Sequence, residues 1–210
     1  MNSNLLKKLY AHIVLGTWLG KVHGLEGLPK DEPYIIAANH ITTTDGILLA
    51  SIFLLKLNKK LHFYVKSTYF DNIFLRHILE LGECIPVYIK ENKNSNLNNT
   101  AFEEALNYIK RTDSIGIFPE GAISFDARLR PAKPGLAKLA LNSNAAIVPT
   151  AIIAKKIIGA KKLCPYFRGC EVRFGKPIRF NRNKNQSLVK QSEIIGSKVM
   201  KNISKLLKDG

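Results

Sequence analysis

Two short runs carry side chains capable of proton chemistry. The first is Asn39-His40-Ile41-Thr42-Thr43-Thr44-Asp45. An imidazole and a carboxylate five residues apart can meet if the loop between them turns back. The Asp45 carboxylate would then accept a hydrogen bond from one ring nitrogen of His40, fixing the tautomer and favouring the imidazolium that forms on proton transfer. A His–carboxylate pair without an evident enzyme nucleophile fits a general base, the nucleophile belonging to the substrate. Taken alone, the same residues also fit a structural histidine and an aspartate capping the next helix. The second run is Phe118-Pro119-Glu120-Gly121-Ala122-Ile123-Ser124. Pro119 and Gly121 shape a tight turn that can present Glu120 at a strand end, although a lone Pro-Glu-Gly also fits a plain turn with a solvated acid.

Both runs follow segments that read as strands, Pro33–Ala38 and Ser114–Phe118. Further strands are expected at Leu61–Val65, Cys84–Ile89, Ala145–Ala154 and Glu171–Phe174. Pro86 makes the Cys84–Ile89 strand irregular or an edge. Helices are expected at Gly46–Leu57, with Thr44 or Asp45 near its N-cap, and at Ile73–Leu81, Gly135–Leu141 and Leu188–Leu207. Thr100-Ala101-Phe102-Glu103 reads as a capping box opening a helix to Lys110, after an Asn-rich loop over Glu91–Asn99. Alternating strands and helices predict an α/β fold, a mostly parallel mixed sheet flanked by helices. Sites in such sheets lie beyond the C-terminal strand ends, where both runs stand.

The 210 residues suit a single core. Lys plus Arg is 32 against 16 acids, a net charge of +16. Residues 155–210 alone hold fifteen basic side chains and three acids, a net +12. Such a surface attracts polyanions, whether nucleic acid, an anionic membrane or an anionic substrate; solubility alone is the plainer reading. Cys84, Cys164 and Cys170 follow no zinc spacing and read as reduced, small apolar residues, although Cys164 and Cys170 could pair in an oxidising compartment. No metal-ligand cluster is visible. Leu9–Gly20 falls short of the ~18–20 apolar residues of a membrane span and has no cleavage site after it. An amphipathic helix in the membrane interface is expected, with Tyr10 and Trp18 as interfacial aromatics; a core helix is the alternative. The chain therefore divides into residues 1–21, a membrane-associating helix, and 22–210, the catalytic domain.

With both loops in view, Asn-His-x4-Asp followed by Phe-Pro-Glu-Gly resembles the glycerolipid acyltransferase family, whose best-known members are the 1-acylglycerol-3-phosphate acyltransferases. The resemblance covers about residues 22–178. Val22–Pro29 is similar to the family's lead into its first strand, and Leu81–Val87 to its second motif. Lys133–Ala140 is similar to the segment after the Glu motif, Ile147–Thr150 to the fourth motif, and Val172–Ile178 to the last strand.

The resemblance implies a glycerol-phosphate-acyltransferase-like fold and O-acyl transfer. His40 would take the proton of a lysolipid hydroxyl, most simply that of 1-acylglycerol-3-phosphate. The oxygen would attack the thioester of acyl-CoA or acyl-carrier protein, a co-substrate; no cofactor or metal is implied. Asp45 would orient and charge His40, and Glu120 and Gly121 would bind the acceptor. The sequence departs from the family at two expected phosphate ligands: Ile123 and Ile89 stand where arginines are usual. Isoleucine offers phosphate nothing. Arg128, Arg130 and Lys133 in one loop, and Lys90 in the other, could take over. Otherwise the acceptor would lack a phosphate monoester, as a lysophospholipid, amino-lipid or glycolipid does.

On the last helix Lys198, Lys201, Lys205 and Lys208 form a stripe. With Leu5–Tyr10 it suggests docking on an anionic leaflet from the cytoplasmic side, peripheral or monotopic. A non-catalytic basic binder of membrane or nucleic acid would not need the paired loops. Nucleic acid is not an expected partner, because the C-terminal quarter has few interleaved aromatics. A serine esterase would need a Gly-x-Ser-x-Gly elbow, which is missing.

Overall fold

Tyr34-Ile35-Ile36-Ala37-Ala38 is apolar without alternation, the pattern of a strand covered on both faces. It forms β2 (Tyr34–Ala38), and every residue in it is buried. The computed structural model describes residues 3–88, 95–124, 128–154 and 169–209. Lys90, Ile89, Cys164, Tyr166 and Phe167 lie outside the described residues.

β2 pairs in parallel with β5 (Ser114–Ile117) on one side and β6 (Ala146–Ala154) on the other. Beyond β5 come β3 (Leu61–Lys66) and, at that edge, β4 (Ile85–Val87), both parallel. Beyond β6 come β7 (Cys170–Phe174), antiparallel to it, and β1 (Leu19–His23) at the other edge, parallel to β7. The result is a seven-stranded, mostly parallel mixed sheet.

Successive β2 side chains feed two cores. Tyr34, Ile36 and Ala38 join the cluster that holds α1 (Ser3–Trp18) and α2 (Asp45–Ile52). Ile35 and Ala37 join the cluster that holds α4 (Ser95–Lys110), α5 (Gly135–Ser143) and α6 (Leu188–Lys208). The remaining helix, α3 (Ile73–Leu81), links β3 to β4.

The structure corrects several expectations. β1 was not expected: it is a half-exposed edge strand with little apolar patterning, and it runs across the 21/22 boundary. Ala11 and Val14 of α1 are buried, so this helix is packed into the fold. No described helix is long and apolar enough to cross a membrane. Thr100 opens no helix; α4 begins at Ser95, and the Thr100 hydroxyl donates back to Asn96 O at 3.1 Å. The lysines of α6 are exposed, yet α6 packs on β6 and α5 while α1 packs on the other sheet face. The α6 stripe and α1 therefore lie on opposite faces of the sheet.

The sheet register places the site. Ala37 pairs with Ile117, so His40 and Glu120 leave neighbouring strands at the same level. From β2 the chain passes to α2 on one face, and from β5 to α5 on the other. The gap between β2 and β5 is thus a switch point of the sheet, where open α/β folds place their ligand sites.

Candidate active site

The backbone entering the first loop is clamped. The Asn39 side chain donates to Ile152 O at 3.0 Å and accepts from Ile152 N at 2.7 Å, tying the end of β2 to β6. From there the loop wraps around Asp45, which is fully buried. Asp45 Oδ2 accepts from the backbone N–H groups of Ile41 at 2.7 Å and Thr42 at 2.9 Å, while Oδ1 accepts from the Thr42 hydroxyl at 2.6 Å. Asp45 is the first residue of α2, but its carboxylate turns back to the loop and does not serve as the helix cap. Thr44 occupies the cap position without a side-chain cap bond.

Oδ2 also meets His40 Nδ1 at 2.8 Å. An ionised carboxylate only accepts, so Nδ1 carries the proton and Nε2 is the basic nitrogen. Phe118 stacks on the imidazole at 3.9 Å between centroids and 10° between planes, and Phe63 stacks behind Phe118. With Nδ1 against a buried carboxylate and one face covered, the 17% exposure of the side chain is left to the rest of the ring, which carries Nε2. A ring held at one nitrogen and one face keeps the rotamer that proton transfer requires.

The second loop closes on the first. Gly121 N–H donates to Phe118 O at 2.9 Å, forming the expected turn, and Gly121 has φ of +66°. Glu120 is not solvated: it is buried, with Oε1 accepting from His40 N–H at 3.2 Å and Oε2 from Arg130 N–H at 3.0 Å. In return, Ser124 N–H donates to His40 O at 2.8 Å. Glu120 therefore joins the two loops through the backbone. Each of its oxygens holds one backbone N–H, one from each loop.

The family model described as Acyltransferase matches residues 20–153, which include both loops. The chain belongs to the acyltransferase family. Two relatives extend the likeness. A protein of Mycoplasma genitalium named "Probable 1-acyl-sn-glycerol-3-phosphate acyltransferase" is 27% identical over 77% of this chain and 63% of its own. The 1-acyl-sn-glycerol-3-phosphate acyltransferase of Saccharomyces cerevisiae is 31% identical over 75% of this chain and 51% of its own. This acyltransferase chain thus spans between half and two thirds of those relatives. In fold it is similar to the crystal structure of PlsC, the 1-acyl-sn-glycerophosphate acyltransferase of Thermotoga maritima. That match has a TM-score of 0.66 and 18% identity, covering 99% of this chain and 81% of the other.

The structure brings together His40, Asp45, Glu120, Gly121 and Lys133. Lys133 N–H donates to Pro119 O at 2.8 Å, and its side chain lies over Gly121: a Cβ added there would sit 2.8 Å from Nζ. Arg128 and Arg130 are exposed in the same loop, and Ile123 is half-buried beside them. Asn39, Thr42 and Phe118 were not anticipated as parts of the site. Asn39 and Thr42 could have been suspected as hydrogen-bonding side chains inside the motif; the stacking of Phe118 depends on sheet register.

Glu120→Gln tests the loop junction. A glutamine keeps one acceptor but turns an NH2 toward the other backbone N–H, so one buried donor loses its partner, at a cost of about 1–3 kcal/mol. The expected result is a lower melting temperature and a kcat reduced about tenfold or more, with a smaller change in acceptor KM. A rise in acceptor KM alone would assign Glu120 to substrate contact.

Proposed function

We propose that this chain is an O-acyltransferase that moves a fatty acyl group from an acyl thioester to the hydroxyl of a lysolipid at a membrane surface. The observation that carries this reading is the 2.8 Å contact of His40 Nδ1 with a buried aspartate, which makes Nε2 a base. Nε2 takes the proton of the acceptor hydroxyl as its oxygen attacks the thioester carbonyl. The new C–O bond forms, the C–S bond breaks, and His40 returns the proton to the departing sulfur, which leaves as the thiol. Asp45 stabilises the imidazolium between these steps. The donor is acyl-CoA or acyl-carrier protein, and the reaction faces the cytoplasm.

1-Acylglycerol-3-phosphate is the first acceptor to consider, supported by the names of the two relatives. Its phosphate needs cations, and Lys133, Arg130 and Arg128 stand in the loop that Glu120 ties to His40. A charge-assisted contact is worth about 1.5–3 kcal/mol, so removing one is expected to raise acceptor KM tenfold or more with kcat nearly unchanged. Separate alanine variants at the three positions check this; if none shifts KM, the loop does not hold the phosphate. Ile123 favours a second reading, an acceptor without a phosphate monoester. A panel of lysolipids with labelled acyl-CoA and acyl-carrier protein decides between them. Turnover on phosphate-bearing acceptors supports the first reading, and no turnover on any lysolipid overturns both.

A further inference from the structure

β5 is buried at every position, yet it contains Gly116. A glycine weakens a strand and gives it no side chain to pack, so it marks a place where another group comes close. Here that group is Phe63 of β3, the residue paired with Gly116. A Cβ added at Gly116 would sit 2.2 Å from Phe63 Cε1 and 2.3 Å from Cζ, so the ring lies across the bare Cα. No other residue type leaves that room.

The Phe63 ring is the base of a stack. It lies 5.4 Å from the Phe118 ring with 20° between planes, and Phe118 lies 3.9 Å from His40 with 10° between planes. Three neighbouring strands, β3, β5 and β2, thus send one ring each toward the site, two of them from the loops that follow. Asp45 holds the imidazole at the Nδ1 edge, and Phe118 covers a face. The face of an aromatic ring is the negative part of its quadrupole, so it attracts a cation more than a neutral ring. A general base is neutral before it takes the proton and cationic after. The stack therefore favours the state formed during transfer over the resting state, and such a difference is what accelerates a step.

We propose that Phe118 is a positioning residue that also stabilises the His40 imidazolium through its ring face, held there by Phe63 seated on Gly116; this rests on the general-base role of His40 proposed above. Apolar packing alone would not need a ring at 118. Leucine would then serve as well as phenylalanine.

The test compares Phe118→Leu, which keeps apolar bulk and removes the ring face, with Phe118→Tyr, which keeps the face. Each full chain is melted, assayed with labelled acyl-CoA on the lysolipid best turned over in the panel above, and titrated by NMR of the His40 Cε1 proton, assigned by its loss in His40→Ala. Phe118→Leu is expected to lower kcat about three- to thirtyfold with both KM values nearly unchanged, and Phe118→Tyr to recover most of the loss. The His40 signal, shielded by the stacked ring in the parent, should move downfield in Phe118→Leu and titrate at lower pH, and both changes should be reversed in Phe118→Tyr. Asp45 on α2, and Glu120 and Lys133 in the second loop, are the charged groups around the ring; they are the same in all three chains, so the difference reads Phe118. If Phe118→Leu melts below the assay temperature, Phe63→Leu replaces it, with kcat expected to fall about two- to tenfold as Phe118 loses its backing. Parent kcat in the leucine variant overturns the proposal, as does an equal loss in Phe118→Leu and Phe118→Tyr. A rise in acceptor KM alone also overturns it, since Phe118 would then touch the substrate. The titration needs no turnover: the expected NMR changes in a chain that acylates no lysolipid would uphold the effect of Phe118 on the imidazolium and refute the enzymatic reading alone.

Discussion

Replacing His40 by alanine is expected to lower kcat by about 10²–10⁴-fold, the usual worth of a positioned general base. Acceptor KM should change little, because the acceptor's tail and headgroup contacts do not depend on the imidazole. The fold should survive. His40 is tied to the second loop through its backbone, with N–H to Glu120 and C=O from Ser124, and alanine keeps both. The variant does leave Asp45 Oδ2 without the His40 proton, but the N–H groups of Ile41 and Thr42 still hold that oxygen. Steady-state rates with both substrates varied, beside a thermal melt, check this. A variant with normal kcat would remove His40 from the chemistry.

Asp45→Asn should have an effect nearly as large, for a separable reason. An asparagine oxygen in the place of Oδ2 can still accept from His40 Nδ1 and from the backbone of Ile41 and Thr42. Its NH2 then faces the Thr42 hydroxyl, which can rotate to accept. These four bonds are therefore kept, while the charge that stabilises the imidazolium is gone. The expected result is a small change in melting temperature with kcat down about 10²–10⁴-fold. Asp45→Ala is less informative, since it strands several buried donors at about 1–3 kcal/mol each and disturbs the loop itself. If Asp45→Asn keeps full kcat while Asp45→Ala unfolds, Asp45 is a structural residue only.

Much of the fold was legible because its signals are local. The apolar runs of β2 and β6 and the periodicity of α6 read directly as elements. β1 did not, because an edge strand makes few demands on its side chains. The start of α4 was misplaced because Asn-rich composition argues for a loop, while Ala101, Ala105 and Ile109 buried against β5 and α5 hold a helix there. At the site, the spacing of His40 and Asp45 anticipated their contact. The spacing could not tell a solvated Glu120 from a buried one, because its partners, His40 N–H and Arg130 N–H, lie 80 and 10 residues away. The stacking of Phe118 on His40 likewise needs the register between β2 and β5.

Direct attack by the acceptor, with His40 as base, is tested most closely by initial rates measured while acyl thioester and lysolipid are both varied. A sequential reaction is expected: intersecting double-reciprocal lines, and no burst of free thiol when the donor is added without acceptor. Parallel lines with about one equivalent of thiol released in a burst would mean that an acyl group first rests on the protein, contradicting a substrate-borne nucleophile activated at His40.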